Sequence, residues 1–228
     1  MRTSWWAKLL RIVAVILMSL TAAFTLMGGA GTTCIALNPT GYEGKFAGIV
    51  PFQWLYILFV LVGIATGIMG VRAVVLIVKG TANAYRYSLI ALILGTGLNA
   101  VHVFASRALT GRSMPVDAVL YTNVLTLLVF LLLRIPAIWQ GVDFEKPQGG
   151  KETGRNAAAI AMALCGLLTL TIQYAMAPTH TIGGVNFADV WHVSLTILGA
   201  GLILTGIGTM LYTKFALARG ETLANQAG

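Results

Sequence analysis

Histidine is the side chain with the widest chemical repertoire in this sequence, and two of its three histidines lie within long apolar stretches. At a helical rise of about 1.5 Å per residue, His102 and His192 each lie roughly 5–8 Å from one end of such a stretch. Imidazoles at matched depth on two helices can bind haem b or another metal ion. We therefore predict His102 and His192 as candidate haem or metal ligands.

Charged residues near the same ends of these stretches would complete such a site. Asp189 precedes His192 by three residues and would accept its second ring N–H. Arg107 and Arg112 would bind haem propionates or an anionic headgroup. Neither CxxCH nor HExxH occurs in the sequence. A plain polar cavity or an interhelical hydrogen-bond network is therefore the favoured interpretation, and a bound cofactor is the alternative.

Other polar residues recur at helical spacing inside the apolar stretches. Asn99, His102 and Ser106 share one helix face, as do Asp117 and Tyr121. Polar side chains cost free energy inside a membrane, so their placement marks ligand sites or helix contacts. The residues predicted to line a polar cavity are Asn99, Ser106, Asp117, Tyr121, Asn123, Gln173, His180 and Asp189.

The composition defines the environment in which these side chains act. The chain has 228 residues, of which 57% are hydrophobic and 10% are charged, whereas a soluble domain carries about 25% charged residues. A soluble enzyme and a disordered tail are thereby excluded, and two cysteines exclude a disulfide scaffold. Runs such as 124–130 are continuously apolar rather than alternating, which predicts an all-α integral membrane protein.

Six apolar segments approach or exceed the roughly 20 residues that cross about 30 Å of hydrocarbon. The expected architecture is one transmembrane bundle over residues 1–228, with a linker at about 141–155. The N-terminal segment resembles a secretory signal, but its length favours an uncleaved first helix. The predicted helices span about 10–31, 53–78, 87–107, 116–138, 156–177 and 189–213.

The basic residues predict an orientation. The formal charge is +8, and of the 15 Lys and Arg residues only Lys45, Arg107 and Arg112 fall on one side of the membrane. The positive-inside rule then puts both termini in the cytoplasm and the histidines at the outer face. Because these charges cluster in connections between helices, no nucleic-acid partner is expected. The expected location is a bacterial-type inner (plasma) membrane.

Three hypotheses for function remain open. The first is a membrane subunit of a larger complex, linked to redox chemistry through haem b or a quinone. Its partners would be the lipid bilayer and other membrane subunits or a second copy. The second is a small-solute transporter or channel with an outer vestibule. The third is a membrane enzyme acting on lipid or quinone, although no nucleophile–base constellation supports enzymatic activity.

Overall fold

The computed structural model describes residues 5–113, 115–142, 144, 150–182, 184–186 and 189–226. Within these ranges, the side chains of 150–153, 175–179, 182 and 216–226 are not described. The chain is 87% helical, which confirms the all-α prediction. In chain order its elements are α1 (Trp5–Leu37), a 3-10 helix (Ala47–Phe52), α2 (Gln53–Lys79), α3 (Ala84–Thr110), α4 (Val116–Leu133), α5 (Pro136–Val142), α6 (Gly150–His180), β1 (Thr181–Ile182), β2 (Val185–Asn186), a 3-10 turn (Asp189–Trp191) and α7 (His192–Gln226).

Six helices are long and apolar enough to span a membrane, which indicates an integral membrane protein. They correspond to the six predicted segments, and several ends differ. The first helix spans 5–37 rather than 10–31, and α6 begins at Gly150, inside the predicted linker. Polar residues at these helix ends lower the local hydropathy, so the apolar segments end before the helices do. They do not prevent backbone hydrogen bonds from continuing the helix.

The predicted helix 116–138 is two helices in the structure. Proline disfavours helical backbone at the residue before it, here Ile135, and α4 ends at Leu133. Pro136 itself opens α5, where a first-turn residue needs no N–H donor. The break therefore follows from the local effect of one proline.

Helices α1 to α4 form an antiparallel bundle in which α1 packs against both α2 and α4, and α3 closes the ring. Small residues allow α1 and α2 to approach closely. A β-carbon at Gly63 would lie 3.3 Å from the Gly29 Cα, and one at Gly70 would lie 2.9 Å from the Ala22 Cβ. Close backbone approach is how helices associate in lipid, where no hydrophobic force drives them together.

Helices α6 and α7 form a hairpin beside this bundle. Helix α6 packs against α1 and α2, whereas the main packing partner of α7 is α6. The connection contains a short antiparallel β-hairpin that pairs Thr181 with Asn186. In the most apolar stretch of α7, 11% of the residues are buried, compared with 33–39% in the other five spans. Helix α7 therefore leaves most of its surface to the surroundings.

The two ends of the bundle differ in character. The basic end is where α2 ends and α3 begins, with Lys79 and Arg86. The opposite end, called the histidine end, carries His102, His180 and His192.

An aromatic cluster fills the basic end. It contains Tyr85, Phe130, Trp139 and Phe144, with the Arg134 guanidinium carbon 4.5 Å from the Trp139 ring centroid. The Tyr85 hydroxyl donates to the Phe130 carbonyl oxygen at 2.8 Å. These contacts anchor α5 against the helices of the bundle.

Candidate ligand site at the histidine end

His102 lies between α2 and α3 near the histidine end, in a pocket of aromatic rings. His102 is 6% exposed. The imidazole stacks on Phe59 with ring centroids 4.3 Å apart and an interplanar angle of 22°. Tyr56 meets the imidazole edge-on, with centroids 5.5 Å apart. The helical spacing that placed Asn99, His102 and Ser106 on one face is what turns this imidazole toward α2.

The hydrogen-bonding capacity of His102 is unused within the described part of the chain. The neighbouring Tyr56 hydroxyl is paired with the Ser106 hydroxyl at 2.9 Å. His102 itself makes ring contacts and no side-chain hydrogen bond to any described residue. The imidazole can therefore form a hydrogen bond with a ligand.

The loop between α3 and α4 is closed by a compact polar cluster. Arg107 donates to the Ser113 hydroxyl at 2.9 Å and to the Asp117 carboxylate at 2.8 Å. Ser113 donates to the second carboxylate oxygen of Asp117 at 2.6 Å. These bonds use both carboxylate oxygens of Asp117 and two N–H donors of Arg107, whereas Arg112 is exposed and lies outside this cluster.

A second polar network lies deeper in the bundle, where α1 faces α4. Asn123 donates to the Thr25 hydroxyl at 3.1 Å and to the Val119 carbonyl oxygen at 2.9 Å. The hydroxyls of Thr21 and Thr126 pair at 2.7 Å. All four of these polar side chains are buried. Since they satisfy one another, this network fits helix packing better than a solute path.

Asn99 also uses its amide locally, because its nitrogen donates to the Gly95 carbonyl oxygen at 2.7 Å. Tyr121 is 63% exposed, on the outer surface of α4 rather than in the bundle.

The remaining predicted residues lie on the α6–α7 hairpin. Gln173 is buried, and its side-chain oxygen is without a hydrogen-bond partner among the described residues. Asp189 and His192 are exposed, and His180 is half-buried. Gly166 and Gly199 meet across the seam, and Gln173 and His192 each lie seven residues beyond them toward the histidine end. Gln173 and His192 therefore lie at the same level of this hairpin.

The predicted residues thus lie partly on the α1–α4 bundle and partly on the α6–α7 hairpin. Helix α3, with His102, packs mainly against α2 and α4, whereas α7, with His192, packs mainly against α6. The packing of these helices gives no support to a haem or metal held jointly by His102 and His192, and that pairing stays a prediction. In the described part of the chain, no group of three His, Cys, Asp or Glu residues could hold a metal ion.

Two residues of the His102 pocket were not predicted from the sequence. Tyr56 and Phe59 are spaced three residues apart on α2, so they share a helix face. Their spacing was visible, but which helix they face depends on packing between distant segments.

Comparison with protein-family models, curated proteins and solved structures found no match for this chain.

Proposed function

We propose that this protein is a membrane subunit of a redox-linked complex and that it binds a quinone head group beside His102. The observation that carries the proposal is the imidazole of His102, which is buried between aromatic rings without a hydrogen-bond partner among the described residues. A quinone carbonyl oxygen accepts the hydrogen bond that the imidazole N–H can donate. The aromatic rings of Phe59 and Tyr56 make the surroundings of the imidazole apolar.

The location of the site also suits a lipid-soluble ligand. His102 lies between two helices whose outer surfaces are apolar, including the exposed Val101 and Phe104 on α3. A ligand dissolved in the bilayer needs no aqueous vestibule to approach such a site. A transporter would need polar side chains that are open to a solute. In this bundle the Asn123 amide instead donates to the Thr25 hydroxyl. No specific observation favours the transporter or channel, or a membrane enzyme acting on lipid or quinone.

The role as a subunit is part of the same proposal. The described chain consists almost entirely of spanning helices and short connections, so catalysis on a soluble substrate would require a partner. We propose another membrane subunit or a second copy as that partner. We also propose that both termini lie in the cytoplasm and that the membrane is a bacterial-type inner membrane, because the basic end carries most of the positive charge.

Titration of the purified full chain with a short-chain benzoquinone and a short-chain naphthoquinone, followed by calorimetry, tests the site. His102→Phe keeps a ring against Phe59 and removes the N–H donor. We expect this change to raise the Kd about 3- to 10-fold, the usual effect of one lost hydrogen bond. His192→Phe is the matched control on α7 and should leave the Kd unchanged.

Three results separate this proposal from the others. A folded His102→Phe variant that binds quinone as tightly as the unmodified protein would refute the role of His102. Absence of quinone binding by the unmodified protein would refute the ligand class. A Soret band in the purified protein, abolished by both His102→Ala and His192→Ala, would establish the haem hypothesis in its place.

A further inference from the structure

The outer surface of the α2–α3 hairpin carries an arginine, Arg72, whose position lies well inside the helix rather than at its end. Arg72 lies seven residues before the end of α2, so its Cα is about 10 Å inside the helix end. Its side chain is exposed, and its guanidinium carbon lies 5.2 Å from the centroid of the Tyr87 ring. Tyr87 is the fourth residue of α3, close to the membrane surface. The side chain of Arg72 therefore extends from a deep position toward the headgroup level and is held there by Tyr87.

Two further cations lie at the same end of this hairpin. Lys79 is seven residues after Arg72 and shares its helix face, and Arg86 directly precedes Tyr87. Both are exposed. None of these three side chains pairs with a carboxylate in the part of the chain that the structure describes. The charge of the group is therefore available to an external anion.

We propose that the basic end of the α2–α3 hairpin binds the phosphate of an anionic phospholipid, with Arg72 as the principal contact. Guanidinium groups bind phosphate oxygens through two parallel N–H donors, and a planar stack on an aromatic ring fixes their orientation. Basic groups between spanning helices near the cytoplasmic surface are typical sites for anionic headgroups. The depth of Arg72 distinguishes this site from the basic residues in the connections, because a lipid bound here keeps its acyl chains against α2 and α3.

The experiment measures lipid binding to the full chain in detergent, by native mass spectrometry and by the shift in Tm on adding lipid. The probes are phosphatidylglycerol, phosphatidylcholine and inorganic phosphate. We expect phosphatidylglycerol to bind preferentially and to raise the Tm. Arg72→Gln should weaken its binding about fivefold. Lys45→Gln removes an exposed cation from the opposite side of the membrane, one that pairs with Glu43, and should leave the preference unchanged.

Further variants keep the test decisive if Arg72→Gln fails to fold. Arg72→Lys keeps the charge but loses the planar guanidinium, and Tyr87→Leu removes the ring, so each should weaken phosphatidylglycerol binding. Tyr87→Phe keeps the ring and should restore it. Equal binding of phosphatidylglycerol by Arg72→Gln and the unmodified protein would overturn the proposal. Equal stabilisation by inorganic phosphate would show an anion site rather than a lipid site and would overturn it as well.

Discussion

A single atom can decide how closely two helices approach, and Gly95 illustrates this on α3. The side-chain oxygen of Asn123 on α4 occupies the space that a β-carbon at Gly95 would need. Gly95 also provides the carbonyl oxygen to which Asn99 donates. The absence of a side chain at Gly95 thus permits the α3–α4 contact that Asn123 makes from the other side.

We expect Gly95→Ala to destabilise the protein by about 1–3 kcal/mol, because the added carbon overpacks the contact with Asn123. Gly97→Ala is the matched control on the same helix, since a β-carbon there meets open space. That change should be neutral or slightly stabilising, as helical Gly→Ala usually is. Denaturant unfolding in detergent measures both free energies.

A double variant identifies the cause of the destabilisation. If the clash with Asn123 is responsible, Asn123→Ala should rescue part of the stability lost in Gly95→Ala, giving a coupling energy of at least about 0.5 kcal/mol. Strict additivity of the two changes would show that the clash is not the cause.

At the scale of elements, the α6–α7 seam depends on glycines that face α6. A β-carbon at Gly206 would lie 2.6 Å from the Ala159 carbonyl oxygen, and one at Gly199 would lie 2.8 Å from the Gly166 carbonyl oxygen. Because the main packing partner of α7 is α6, this seam is the principal attachment of the last helix.

We expect Gly206→Leu to separate α7 from α6, because a large side chain cannot fit against the α6 backbone. The measurement is the rate of proteolysis in the connection between these helices, together with the Tm. Gly208→Leu is the control two residues away, where a β-carbon meets open space. Equal proteolysis rates for the two variants would contradict this account of the seam.

At the scale of the whole molecule, the orientation in the membrane can be tested with a natural reporter. Cys34 is exposed near the end of α1 at the histidine end, whereas Cys165 is half-buried within α6. Burial, and then the neighbouring Cys34, raise the pKa of Tyr42 above the ordinary value of a tyrosine.

If the histidine end faces outward, a membrane-impermeant maleimide added to intact cells should label Cys34. Cys34→Ser should abolish that labelling, while Cys165→Ser should leave it unchanged. Labelling that appears only after the membrane is permeabilised would reverse the proposed orientation and place the termini outside.

Hydropathy is a local property of the chain, and it was sufficient to predict the all-α class and six helices that are long and apolar enough to span a membrane. Free energy of transfer from water to lipid depends on a segment's own side chains, so no knowledge of neighbours was needed. Spacing along a helix was also sufficient to predict that Asn99, His102 and Ser106 share a face, and these three are buried. The break at Pro136 was equally local, although it was not predicted.

The sequence could not predict which helix each polar helix face packs against, because packing joins residues that are distant in the chain. The similar depth of His102 and His192 predicted a shared site, and that pairing stays a prediction. In the structure α3 packs mainly against α2 and α4, α7 packs mainly against α6, and His102 contacts Phe59 and Tyr56. Depth is determined by hydropathy along one helix, whereas proximity depends on which small and large side chains of different helices fit together.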